Sequence, residues 1–120
     1  MKAVLLVSHG SGSPKTKDEV SVLAGILRQR LPGSMVEFAF LDIGSPSIPE
    51  GIDRCVAQGA VSVTVALNFL NAGRHMDKDI PAILRASRKK YPHIKITLTK
   101  PIGQHPKIPD LFIDLINNNS

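Results

Sequence analysis

Histidine is the residue type in this chain best suited to proton or metal chemistry, and there are four of them. A neutral imidazole near pH 7 both accepts a proton and ligates a borderline metal ion. His9 stands in Ser8-His9-Gly10-Ser11-Gly12-Ser13, directly after an apolar run. The small residues behind it let a ligand approach the backbone. His75 closes Leu70-Asn71-Ala72-Gly73-Arg74-His75, behind a glycine that permits a tight turn. Either histidine can instead be a structural one, hydrogen-bonded in its turn. Two histidines on separate loops fall short of a closed structural zinc site, and suit a metal that is held loosely and then released. His105, in Gly103-Gln104-His105-Pro106, is a secondary candidate that also reads as a loop histidine at a helix start. His93 reads as surface. Asp42 ends a strand-like run, where a carboxylate can attract a metal or cap the next turn. Arg74 and Lys78 can pair with substrate carboxylates or stay solvated, and Arg74 is the better candidate because its neighbours are constrained. Cys55 is the lone cysteine. It reads as a small buried hydrophobe on a helix, with no disulfide and no thiolate site.

These residues act together only if a scaffold brings them together. Strand-like segments at 2–8, 35–43, 61–68 and 94–99 alternate with helix-like segments at 14–31, 45–58, 78–91 and 108–118. Val20, Leu23, Ala24, Leu27 and Leu31 recur at helical spacing, whereas Val36, Phe38 and Phe40 alternate as in a strand. Ser13 before Pro14 predicts an N-cap with proline in the first helical turn. Ser45-Pro46 is the expected start of the second helix, and Gly59 its C-terminal cap. Pro81 starts or interrupts the third helix. Strict alternation of strand and helix predicts an α/β fold with one four-stranded parallel sheet and helices on both faces. The continuous apolar run at 3–7 belongs in the centre of that sheet, and the second and fourth strands at its edges. Right-handed crossovers then give the flavodoxin-like order 2-1-3-4. Ligands of such sheets bind beyond the carboxyl ends of the strands, where the order reverses. That rule brings His9 and His75 toward one crevice and leaves His105 one strand away.

The composition excludes several function classes. A length of 120 residues fits a single domain spanning 1–120, and 42% apolar with 21% charged residues is ordinary for a folded protein. The apolar runs are too short to span a bilayer, and no signal peptide is read at the start, so no membrane partner and a reducing cytoplasmic location are expected. The net charge of +5 suits an anionic ligand. Nucleic acid is not expected: aromatic residues make up only 4% of the chain, and the basic run at 85–90 reads as a solvated helix face. No G-x-S-x-G elbow is present, and Ser8 rather than arginine precedes His9, which speaks against serine hydrolase and histidine phosphatase chemistry.

The stretches LLVSHGSGSP, FLDIGSPSIPEGI, NFLNAGRHMDKDIP and PIGQHPKI together resemble the small CbiX-type sirohydrochlorin chelatases, over nearly the whole chain. The resemblance implies a chelatase-like fold and insertion of a divalent metal, cobalt first, into a sirohydrochlorin-type tetrapyrrole for cobalamin synthesis. Nickel for the methanogen cofactor, iron for siroheme, or a non-catalytic metal or tetrapyrrole carrier are the alternatives. The metal is a substrate in this scheme, and no organic cofactor is implied. His9 and His75 would hold the metal, with His9 also taking protons from the ring. Ser11, Ser45, Leu70, Asn71, Ala72, Gly73 and Arg74 would contact the tetrapyrrole, with Asp42 and His105 in secondary roles. Full-length relatives carry two such domains, so a chain of this size would work as a homodimer with a cleft between equivalent halves. This chain has Gly12 where relatives commonly have arginine, Ser45 for an acidic residue and Leu67 for a proline.

Overall fold

The apolar run at 3–7 forms the middle of β1 (Lys2–Gly10) in a computed structural model, which describes residues 1–71 and 73–118 and all their side chains except those of Arg74 and His75. β1 pairs in parallel with β2 (Ser34–Ile43) on one side and β3 (Ser62–Leu67) on the other. β4 (Lys95–Leu98) pairs in parallel with β3, so the order is β2-β1-β3-β4, as the crossover rule requires. Side chains alternate between the two faces of the sheet. One face, with Leu6, Val36 and Phe40, is covered by Val20 and Ala24 of α1 (Pro14–Arg30). The other, with Leu5, Val7, Ala39, Val63 and Val65, is covered by Ile48 and Ile52 of α2 (Ile48–Ala57) and by Ile80 and Leu84 of α3 (Arg74–Lys90). Helices therefore lie on both faces. Cys55 is fully buried on α2, and burial, with the nearby Glu37 charge, pushes its thiol up to about 11. It is a packing residue.

The element ends differ from the sequence expectation in three places that matter. β1 runs on through His9 to Gly10 rather than ending at Ser8. α2 begins at Ile48, not at Ser45-Pro46. There the Ser47 hydroxyl accepts a bond from the Glu50 N–H at 3.3 Å, and the Glu50 carboxylate accepts one from the Ser47 N–H at 3.0 Å. This reciprocal box satisfies two otherwise orphan donors and outcompetes the earlier serine–proline pair. α3 begins at Arg74 rather than Lys78, with Pro81 inside it.

α4 (Ile108–Asn117) is joined to β4 by a segment that includes a 3-10 turn at Ile102–Gln104. It buries none of its side chains. The radius of gyration, 14.9 Å, exceeds the about 13.6 Å expected for a compact chain of this length. Among the described residues no helix is long and apolar enough to cross a membrane.

Candidate functional site

The carboxyl end of β1 is shaped by a break in its pairing. The register with β2 shifts between Ser8 and Gly10, so that Gly10 lies opposite Ile43. Gly10 has φ +103°, and a Cβ there would sit 2.0 Å from the Ile43 carbonyl oxygen, so only glycine fits. Such bulges bend a strand end and re-aim the side chains beside them. Here His9 Nε2 comes to 3.5 Å from Asp42 Oδ2, near the end of β2. The side chains are 67% and 55% exposed, so the pair contributes at most about 1 kcal/mol to folding. It is open to a ligand rather than committed to the core.

The wall behind the pair is polar and ordered. Asn68 Nδ2 donates to Ser8 Oγ at 3.0 Å, and the Asn68 N–H donates to the Val7 carbonyl at 2.8 Å, tying the end of β3 to the end of β1. The ring of Phe69 meets the His9 ring edge-on, with centroids 6.2 Å apart. Ser8, His9, Gly10, Thr16, Glu19 and Asn68 line a cleft of about 320 Å³. Ser11 and Ser45 face a neighbouring hollow of about 300 Å³, together with Gly12, Ser13 and Lys17. Ser13 is the N-cap residue of α1, as expected, although its side chain makes no capping bond. The hollow therefore adjoins a helix N-terminus, where backbone N–H groups favour an anion.

Residues 3–119 match the CbiX family model. The chain belongs to the CbiX family. This CbiX chain is 36% identical over 112 residues to the sirohydrochlorin cobaltochelatase of Priestia megaterium, a match covering 93% of the chain and 36% of the relative. It is 28% identical over 120 residues to the sirohydrochlorin ferrochelatase of the same organism, covering 100% of the chain and 45% of the relative. Among solved structures, the sirohydrochlorin chelatase SirB from Bacillus subtilis subspecies spizizenii in complex with cobalt superposes with a TM-score of 0.87 at 28% identity. That match covers 98% of this chain and 50% of SirB. The CbiX chain thus spans about half, or less, of the length of these relatives.

The CbiX fold places the other candidate residues unequally. Arg74 and His75 lie in the first turn of α3, not on a free loop, and their side chains fall outside the described residues, as does Ala72. Gly73 is the N-cap of α3 with φ −107°, an ordinary extended conformation, so the tight-turn freedom expected of it is not used. Leu70 and Asn71 are exposed at the carboxyl edge. His105 stays apart from His9: its Nδ1 accepts the Lys107 N–H at 3.0 Å, and it lines a separate groove of about 500 Å³. His93 is exposed just before β4, at the amino edge. Among the described residues, no group of three His, Cys, Asp or Glu side chains converges as a metal site.

Three residues beside His9 escaped the sequence reading. Asn68 was visible only as a polar residue ending an apolar run. Phe69 was present only within the stretch NFLNAGRHMDKDIP, with no role of its own. Glu19 sits four residues before Leu23, and both line the His9 cleft. That i, i+4 spacing from the α1 core stripe was the available signal.

Proposed function

We propose that this CbiX chain inserts a divalent metal ion into a sirohydrochlorin-type tetrapyrrole, with cobalt(II) the preferred ion. The observation that carries the reading is the exposed His9–Asp42 pair, 3.5 Å apart at the carboxyl edge of the sheet where its order reverses. Metal insertion exchanges two ring N–H protons for one divalent cation. One imidazole nitrogen offers one lone pair, so His9 serves the two tasks in sequence. It first ligates the incoming ion. When the ion moves to the ring nitrogens, the same lone pair takes a departing ring proton. The Asp42 carboxylate favours both charged partners, the cation and then the imidazolium. His75 is the proposed second ligand. The second proton leaves through it or through water.

The tetrapyrrole carries many carboxylates. The α1 N-terminus with Ser11 and Ser45, and the 70–74 segment with Leu70, Asn71, Ala72, Gly73 and Arg74, are the proposed contacts for it. Cobalt is preferred because the cobaltochelatase relative is the more identical of the two Priestia enzymes, 36% against 28%. The lone buried Cys55 accords with the proposed reducing, cytoplasmic location.

The test is anaerobic absorbance of sirohydrochlorin with catalytic protein and cobalt(II), then nickel(II) and iron(II). Many turnovers above the buffer rate are expected, fastest with cobalt. His9→Ala should lower turnover by about 10²–10⁴-fold, the range of a lost proton-transfer group. Stoichiometric binding without turnover would make the chain a carrier instead. A fully active His9→Ala/His75→Ala variant would overturn the mechanism.

A further inference from the structure

His9 has a fixed backbone and a side chain with freedom left over. On one side of it, Ser8 Oγ accepts from Asn68 Nδ2 at 3.0 Å. On the other, Gly10 is pressed against the Ile43 carbonyl in the bulge. Neither contact restrains the imidazole. A side chain 67% exposed has room for more than one staggered well about its Cα–Cβ bond, and a change of well swings Nε2 away from Asp42.

Two contacts oppose that swing, and their strengths differ. The exposed ion pair with Asp42, at 3.5 Å, favours the observed orientation by about fivefold at most, and salt weakens it. The second contact is the Phe69 ring, 6.2 Å from the His9 ring between centroids, with 77° between the planes. A T-shaped ring pair is worth about two- to twelvefold in an equilibrium, beyond the apolar area it buries. Salt does not screen that contact. The ring is therefore the firmer restraint.

Phe69 can serve as a stop because it is itself anchored. Its side chain packs against the buried cluster that holds Leu67, Met76 and Ile80. Its carbonyl accepts the Gly103 N–H at 2.9 Å. The 3-10 turn at Ile102–Gln104 lies so close that a Cβ on Gly103 would stand 1.7 Å from the Leu70 carbonyl oxygen, so only glycine leaves this contact intact. The turn braces the chain beyond β3 from outside, since none of its residues lines the His9 cleft.

We propose that Phe69 is the positioning residue for His9, and that Gly103 holds Phe69 in place for that task. The orientation of His9 is a property of the free protein; its consequence for turnover rests on the metal-insertion reading. There, one imidazole lone pair ligates the ion and then takes a ring proton, so it must keep one direction through both steps. Misplacing a reacting group by about 1 Å can cost about a hundredfold in rate, even when the change is made far from the chemistry. Phe69 acts on the reaction through His9.

Nuclear magnetic resonance couplings about the His9 Cα–Cβ bond read its rotamers in the full chain, without metal or tetrapyrrole. Wild type is expected in one dominant rotamer, and should keep it at about 1 M salt, where the ion pair is screened. Phe69→Leu should give averaged couplings with unchanged circular dichroism. Phe69→Tyr, which keeps the ring, should restore the single rotamer. Gly103→Ala should average the couplings too, although it adds nothing to the cleft. In the absorbance assay, Phe69→Leu should lower kcat by about two- to twelvefold and leave the KM for sirohydrochlorin unchanged. Wild-type couplings in Phe69→Leu would overturn the proposal. A loss confined to KM would also overturn it, making Phe69 a wall of the tetrapyrrole site. Wild-type couplings in Gly103→Ala would remove the brace, and that variant decides the matter if Phe69→Leu does not fold. A wild type that turns over no metal would end the metal-insertion reading, and the couplings would still decide whether Phe69 orients His9.

Discussion

His9 and Asp42 differ in how far their chemistry can reach, and magnitudes separate them. His9 offers the only imidazole described at the reversal point. Asp42 acts on it through charge, across 3.5 Å of well-solvated space. An exposed pair of this kind has a coupling of about 0.2–1 kcal/mol, which is about fivefold at most in an equilibrium or rate. Asp42→Asn keeps the size and removes the charge. It should therefore lower the rate of metal insertion by no more than about fivefold, against the far larger loss for His9→Ala, in the same absorbance assay. A loss in Asp42→Asn equal to that in His9→Ala would mean that the carboxylate itself binds the metal or takes the proton. His9 stood out in the sequence because small residues follow it at the end of an apolar run, although a structural histidine in a turn fits the same pattern. Its partner was legible only as an option. Asp42 meets His9 through the bulge at Gly10, and a register shift leaves no mark in hydropathy. Asn68 was less legible still, since its role is a hydrogen bond to Ser8 that joins residues sixty positions apart.

The elements followed from periodicity, and their ends followed from local bonds that periodicity does not see. Strand order was readable because chain handedness leaves few choices once four alternating units are recognised. The start of α3 was not readable: its N-cap is Gly73, which has no side chain to announce it, and Pro81 suggested a later start. The start of α2 could have been read, since Ser47 and Glu50 hold capping-box spacing. α2 and α3 are also joined by polar side chains. The Tyr91 hydroxyl donates to Asp53, and Lys90 Nζ lies 3.1 Å from the same carboxylate oxygen. The Tyr91 hydrogen bond is the largest influence and holds the Asp53 carboxyl below its ordinary value; burial opposes it as the next largest, and Lys90 adds to the lowering. A carboxylate lowered on folding contributes stability above its unfolded pKa of about 3.9, and loses it as pH falls through the lower folded value. Tyr91→Phe should therefore destabilise the protein slightly near neutrality. The difference from wild type should shrink as the pH drops below the carboxylate range. Urea midpoints at neutral and strongly acidic pH read this directly. A difference unchanged by acid would assign the effect of Tyr91 to ring packing instead.

On the scale of the whole molecule, the exposed apolar surface of α4 and the net charge respond differently to salt. The sequence predicts a helix at 108–118, but periodicity does not say that this helix buries none of its side chains. The undocked helix and the empty groove are properties of the assembled fold alone. Burial of an apolar surface of this kind is indifferent to raised ionic strength and is strengthened by sulfate. The tetrapyrrole is different. With 15 Lys and Arg against 10 Asp and Glu, the chain carries +5 and should attract a polycarboxylate over distances comparable to the Debye length, about 10 Å at 0.1 M salt and about 3 Å at 1 M. Titrating sirohydrochlorin into the protein at rising sodium chloride should show affinity falling across that range. Salt-insensitive tetrapyrrole binding would shift the energetics to apolar contact with walls such as Phe69 and Leu70.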